Sequence, residues 1–352
     1  MVKRTLSTVG IALPIAVGLM LIGQSIAGAA ELPGEPCSKA GEVRPLGAGS
    51  IECVNGAWAP SSKQPGTANG AAVPNAPAAP GQPAASSAKT VKLFTSIGPV
   101  LTQETFASSN KQVADPAAIR LADGRIRIYA WVNPTGLRSA TSTNASGTRF
   151  VADQSVPIQT MAGQPRVVRV DANHIRLFYV ASGSINAAIS SDNGLTFTDE
   201  GAVITSAQAG FEPGTLSLVK LGSTYRAYFS NLEKPGERAA RVMKTATSTD
   251  MLHWTVGPQL NMSGSHPFAL ADAKGKIALY YAADRGSSYG IFMSTSANGT
   301  SFGKEKFVIA GGGDPDIVSN GKGKWLMYYG SEVSPAVGFG VLAAKSIGNA
   351  VP

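Results

Sequence analysis

The sequence predicts an all-β fold: a five-bladed β-propeller of four-stranded antiparallel blades, its ring closed by an N-terminal outer strand. The first observation behind this is an X-Pro step that recurs at Asp115-Pro116, Gln164-Pro165, Glu212-Pro213, His266-Pro267 and Asp314-Pro315, with the prolines 49, 48, 54 and 48 positions apart. The second is an aromatic residue 13, 13, 15, 13 and 13 positions after each proline: Tyr129, Phe178, Tyr228, Tyr280 and Tyr328. A period near 50 with several strands in each unit is the mark of a propeller, in which no blade buries its faces alone. The third is a displaced strand. Residues 92–101 read as the outer strand of a blade yet precede the first repeat, whereas the fifth repeat stops after its third strand, Gly338–Ser346. Joining the two closes the ring and removes two exposed sheet edges.

Within each repeat an inner strand follows the X-Pro step, and a second strand ends in aromatics. These second strands are predicted at Ile126–Trp131, Ile175–Val180, Tyr225–Phe229, Ile277–Tyr281 and Trp325–Tyr329. They are rich in β-branched and aromatic residues and are bounded by turn formers such as Asp123-Gly124 and Gly222-Ser223. Between the third and fourth strands of the second repeat stands Ser190-Ser191-Asp192-Asn193-Gly194-Leu195-Thr196-Phe197, a tight-turn pattern of the form Ser-x-Asp-x-Gly-x-x-aromatic. Shortened or degraded versions end at Trp254, Phe302 and Phe150. Their Asp and Gly are turn residues, and no catalytic role is expected of them.

Ahead of the repeats the chain divides into three further parts. Residues 1–30 have a basic start, an apolar stretch and a small-residue end, the pattern of a cleaved signal peptide. Export would put Cys37 and Cys53, the chain's only cysteines, in an oxidising compartment, so a Cys37–Cys53 disulfide is expected in a small module over residues 31–60. That module resembles the short Cys-Gly-Trp modules of secreted bacterial proteins through Cys53-Val54-Asn55-Gly56-Ala57-Trp58. Residues 61–89 are almost wholly Ala, Pro, Gly, Ser, Asn and Gln and form a tether; the propeller takes 90–352. The net charge of +8 is scattered, with no basic run interleaved with stacking aromatics, which argues against nucleic acid. A secreted or cell-envelope monomer is expected, with no membrane contact after signal cleavage.

Five blades, X-Pro at the head of each inner strand and the short box Ser248-Thr249-Asp250-Met251-Leu252-His253-Trp254 resemble the five-bladed glycosidases of the arabinanase, xylosidase and invertase group. The fuller box at Ser190–Phe197 is similar to those of sialidases. The resemblance covers roughly residues 90–348 and implies a glycan substrate cleaved by acid/base chemistry.

The five residues before proline should converge on the propeller axis. Proline is expected to hold each in an extended conformation and so fix its direction. Asp115, Glu212 and Asp314 are the candidate catalytic carboxylates, because glycoside hydrolysis needs one protonated and one ionised carboxyl on opposite sides of the scissile bond. Glu212, two blades from both aspartates, is the expected acid; one aspartate is the base, Asp115 in preference to Asp314, and the other a positioning or tuning group. Gln164 and His266 complete the ring as candidate substrate-binding residues, with Trp131, Arg138 and Arg285 on loops of the same face. Against the pattern implied by the resemblance, one slot is always misfilled: in chain order Glu212 stands where a tuning Asp belongs and His266 where the acid belongs. With the ring rotated by one blade, Gln164 replaces the tuning Asp. A non-catalytic propeller that binds glycan or protein is therefore the alternative. No cofactor is expected; His174, His253 and His266 lack zinc-type spacing, and a Ca²⁺ held by Asp115, Asp314 and backbone carbonyls is the one metal option.

Overall fold

The computed structural model describes residues 40, 43–46, 49–55, 57–61 and 93–347, apart from 155–157, 159–161, 233–240, 287 and 322. The expected signal-peptide segment, Cys37 and the expected tether beyond Ser61 lie outside the described residues. Among the described residues no helix is long and apolar enough to cross a membrane.

The chain forms two compact units. In the first, β1 (Val43–Leu46), β2 (Gly49–Val54) and β3 (Ala57–Ser61) make an antiparallel sheet in that order, with Cys53 buried on β2.

The second unit is the five-bladed propeller. It begins with β4 (Phe94–Leu101). Blade one follows as β5 (Val113–Arg120), β6 (Ile126–Val132), β7 (Gly136–Ser142) and β8 (Phe150–Ala152). Blade two is β9 (Gly163–Arg169), β10 (Ile175–Ala181), β11 (Ser184–Ser190) and β12 (Thr198–Thr205). Blade three is β13 (Pro213–Leu221), β14 (Thr224–Asn231), β15 (Met243–Ser248) and β16 (Thr255–Gln259). Blade four is β17 (Ser265–Ala271), β18 (Ile277–Asp284), β19 (Tyr289–Ser296) and β20 (Lys306–Ala310). Blade five has β21 (Gly313–Gly321), β22 (Lys324–Ser334) and β23 (Gly338–Ser346), and takes β4 as its outer strand. That antiparallel pairing, from Val341 opposite Leu101 to Ser346 opposite Phe94, is the predicted closure.

The core is distributed. Five apolar clusters fill the five gaps between neighbouring blades, for example Ile126 and Ile128 against Leu326 and Tyr328 between blades one and five. This explains why the second strand of each repeat is apolar on both faces: it is buried between two neighbours.

The repeated aromatic latches one blade to the next. The Tyr129 hydroxyl donates to the Gly194 carbonyl in the turn of blade two (2.6 Å), Tyr228 to Gly299 in blade four (2.9 Å) and Tyr328 to Gly147 in blade one (2.7 Å). Each of these glycines has positive φ, and a side chain at Gly194 would collide with the Tyr129 hydroxyl, so the turn needs glycine twice over. Asp192 braces its turn by accepting from the Leu195 and Thr196 amides at 3.0 and 2.9 Å. In blade two the aromatic is Phe178, and the turn it would reach, in blade three, is the shortened one. Blade five has no such turn, because its outer strand comes from the N-terminus. Tyr280 of blade four accordingly keeps its ring, edge-on to Phe94 at 6.2 Å, but has a buried hydroxyl without a hydrogen-bond partner.

Candidate functional site

The residues before proline do not adopt the expected extended conformation. Asp115, Gln164, His266 and Asp314 have φ of 53, 48, 50 and 53°, in the left-handed region that non-glycine residues enter at a cost of about 1–3 kcal/mol each. The cause is a β-bulge at each step. Ala114 faces Trp131 and Ala117 faces Tyr129, so three steps on the inner strand match two on its partner. The same shift occurs between Ser265 and Phe268 and between Gly313 and Asp316, and blade two shows it from the partner side, between Phe178 and Val180. The extra residue breaks the strand geometry, and proline, lacking an N–H, removes the ladder bond that would oppose it.

Blade three departs from this pattern, which corrects the equivalence expected of Glu212. There the bulge falls between Pro213 and Leu216, and the latch aromatic Tyr228 faces Ser217, four residues after the proline rather than one. In register the counterpart of Asp115 is therefore Thr215. Glu212 stands three residues earlier, in the connection that enters the strand, with its carbonyl accepting from the Leu232 amide at 2.8 Å. The aromatic spacing of 15 in that repeat was the trace of this shift in the sequence.

The four true axial residues meet. His266 Nδ1 lies 3.0 Å from Asp314 Oδ1, and its Nε2 lies 3.0 Å from the Gln164 amide nitrogen and 4.0 Å from Asp115 Oδ1. Gln164 Oε1 accepts from Thr215 twice, from its amide at 2.7 Å and its hydroxyl at 3.1 Å. An oxygen so engaged turns the Gln164 NH₂ toward His266, whose Nε2 then accepts while Nδ1–H donates to Asp314. Gln164 also donates its backbone N–H to Asp115 Oδ2 at 3.3 Å. Two glycines make room: a side chain at Gly214 would lie 2.9 Å from Gln164 Oε1, and one at Gly330 2.8 Å from Asp314 Oδ2.

The two aspartates hydrogen-bond each other and share a proton unequally. Burial, then the charge of Asp314, pushes the Asp115 carboxyl up to about 7, with His266 opposing. Burial acts on Asp314 too, but it is outweighed by His266, by the hydrogen bond from Asp115 and by the charge of Arg166, which together hold its carboxyl below the ordinary range. At neutral pH Asp115 thus retains much of its proton while Asp314 is ionised. Asp115, His266 and Asp314 also offer ligand atoms all within 4.8 Å of one another, a donor set of two carboxylates and an imidazole that fits a divalent cation.

Beneath this ring lies a plug that the sequence reading missed. Arg166, two residues after Gln164, is buried and crosses the axis to Asp316 of blade five at 2.5 Å, stacking over Phe268 of blade four at 5.2 Å. Its remaining N–H groups reach the carbonyls of Leu216, Pro315 and Pro267. The available signal was positional: Arg166 and Asp316 each follow their proline directly, at the register where the other blades carry Ala117, Phe268 and Ser217. Beyond the plug the channel widens into a cavity of about 320 Å³ lined by Val168, Leu218, Leu270 and Ile317, on the side away from the carboxylates.

The remaining candidates are spread. Trp131 is half-buried at the mouth, where a side chain on Gly163 would come within 3.9 Å of it. Arg138 is buried in blade one over the Phe106 ring and donates to the Gln154 carbonyl, with its Nε unpartnered. Arg285 is held by Glu305, at 2.9 and 3.0 Å, and stacks on Phe292. Both arginines are thus engaged by the protein itself.

No protein-family model matches the chain, and no curated protein matches it either. Solved structures do. The chain superposes on an endo-1,4-beta-xylanase from Bacteroides thetaiotaomicron with a TM-score of 0.54 at 16% identity, over 66% of this chain and 89% of that one. The catalytic domain of the Coprinopsis cinerea GH62 alpha-L-arabinofuranosidase gives 0.55 at 11% identity, over 73% and 98%. A glycosyl hydrolase from Bacteroides ovatus gives 0.50 at 18% identity, over 73% and 94%. These likenesses show the fold, a five-bladed propeller shared with structures described as glycoside hydrolases.

Proposed function

We propose that this chain is an exported glycan-active protein, a glycoside hydrolase working by acid/base catalysis at the propeller mouth. The observation that carries this reading is the axial pair Asp115–Asp314, one carboxyl protonated and one ionised beside His266, on a fold shared with glycoside hydrolases. Asp115 and Asp314 touch, so they do not flank a glycosidic bond, which needs carboxyls about 5 Å or more apart. The opposite carboxylate is Glu212, whose displacement by three residues moves it up to roughly 10 Å along the strand direction. The roles allotted from chain order alone therefore reverse: Asp115 is the proton donor, Asp314 holds the shared proton in place, and Glu212 is the base or nucleophile. Gln164 and His266 orient the pair. Export supports the Cys37–Cys53 pairing, and the N-terminal unit is read as a module tethered to the propeller, outside any membrane.

The test is reducing-sugar release from a panel of polysaccharides and aryl glycosides by the wild type, Asp115→Asn and Glu212→Gln. Hydrolysis lost in both variants is expected. Hydrolysis retained in either removes that residue from its role. Binding to glycans without any hydrolysis would favour the second reading, a non-catalytic lectin-like propeller, to which the self-satisfied Gln164–His266 contact lends itself.

A further inference from the structure

Of all the Phe, Trp and Tyr side chains among the described residues of the propeller, only Tyr289 and Phe339 are exposed, at 56% and 48%. Both occupy the same place in the fold, the head of the third strand of a blade, β19 in blade four and β23 in blade five. In a propeller these heads open on the face where the inner strands begin, which here is the face of the axial carboxylates.

Each ring adjoins the backbone that carries an axial aspartate. A side chain on Gly313, the residue before Asp314, would come within 3.7 Å of the Tyr289 hydroxyl. Phe339 donates its amide to the Lys111 carbonyl at 3.0 Å and bridges Gln112, at the head of the strand that bears Asp115. Trp131, near the end of the second strand of blade one, reaches the same face beside Gly163 and hence Gln164. Three consecutive blades, four, five and one, thus carry an aromatic ring at the rim, and the arc they describe passes Asp314 and Asp115. Glycine clears the backbone around Tyr289, since a side chain at Gly290 would run into the Ile309 carbonyl.

Isolated exposed aliphatic residues need no explanation, but exposed rings confined to one rim do. A flat apolar face next to a polar, carboxylate-lined mouth matches a sugar ring, which presents C–H groups on its faces and hydroxyls at its edge. We propose that Tyr289 and Phe339 are stacking platforms for successive sugar rings of a polymeric glycan that crosses the mouth along blades four, five and one. The inference rests on the glycan reading above and adds to it that the ligand is a chain spanning several residues rather than a terminal sugar held in a closed pocket.

The experiment is native affinity electrophoresis of the full chain through gels containing soluble arabinan, arabinoxylan, mannan or another neutral polysaccharide. It compares the wild type, Tyr289→Ala, Phe339→Ala and Tyr289→Phe, with Val151→Ala and Leu195→Ala as exposed controls elsewhere on the blades. The wild type should be retarded by at least one polymer. Each alanine variant at Tyr289 or Phe339 should bind it about tenfold more weakly, equivalent to about 1.4 kcal/mol. Tyr289→Phe, which keeps the ring, should retain binding, and the two controls should migrate as wild type. If the wild type is retarded and both alanine variants match it, the stacking platforms are refuted while the glycan reading stands. If no polymer retards the wild type, both fall together.

Discussion

Replacing Asp115 by Asn should make the protein more stable and less active. Burial and the charge of Asp314 raise this carboxyl from an ordinary aspartate's 3.8 to about 7, and only 16% of its side chain is exposed. Between about pH 4 and 7 the unfolded chain releases the proton and the folded protein keeps it. The stability that this proton confers is therefore full below about pH 4 and is lost as the pH rises to 7 and beyond. A rise of about three pH units at about 1.4 kcal/mol each amounts to about 4 kcal/mol withdrawn from the wild type above neutrality. The depressed carboxyl of Asp314 acts the other way, but only as the pH falls below about 4, outside this window. Asn at 115 is neutral at every pH and can still donate to Asp314, so it escapes the loss. Urea unfolding at pH 5 and pH 8 is the assay. With an m-value of about 3 kcal/mol/M, the wild-type midpoint should fall by about 1 M between the two, and that of the variant should hardly move. Hydrolysis by the wild type should decline above pH 7 as the donor empties, and hydrolysis by the variant should be abolished. Parallel stability curves for the two proteins would refute the shared proton.

Three further outcomes follow from the packing. Tyr280→Phe removes a buried hydroxyl that has no partner and should raise stability by about 1 kcal/mol, whereas Tyr129→Phe strands the Gly194 carbonyl and should cost about 1–3 kcal/mol; calorimetry separates them by sign. Arg166→Met leaves Asp316 buried without its cation and should cost about 3–5 kcal/mol, most of which Arg166→Met with Asp316→Leu should restore, as read by chemical denaturation. Gly330→Ala sets a methyl 2.8 Å from Asp314 Oδ2, which should cost about 1–3 kcal/mol and, through the displaced carboxylate, lower kcat on the order of tenfold or more; a crystal structure of the variant would show the shift.

Each of these perturbations sits at a different distance from what the residue order reveals. The repeat of proline and aromatic is local information: a turn, a bulge and a hydrogen-bonding tyrosine must recur wherever a blade recurs, and so their spacing is written along the chain. Ring closure was legible for the same reason, since a strand-like segment before the first repeat and a missing strand in the last define one another. Even the exception was written, as the spacing of 15 that betrays the shifted register of blade three.

What the chain order does not carry is the result of bringing five blades around one axis. The left-handed backbone at Asp115, Gln164, His266 and Asp314 arises from pairing with the neighbouring strand, against the extended preference that proline imposes locally. The contact of Gln164 with His266 joins blades two and four across the mouth, and the Arg166–Asp316 plug joins two and five. Arg138 looked like a rim residue because it follows a turn, yet burial took it into the blade. The number of blades, their punctuation and the closing strand are encoded by local periodicity and can be read along the chain. Which carboxyls touch, which one keeps the proton and which rings stay at the rim emerge on folding, because they depend on distances across the axis that no spacing along the chain records.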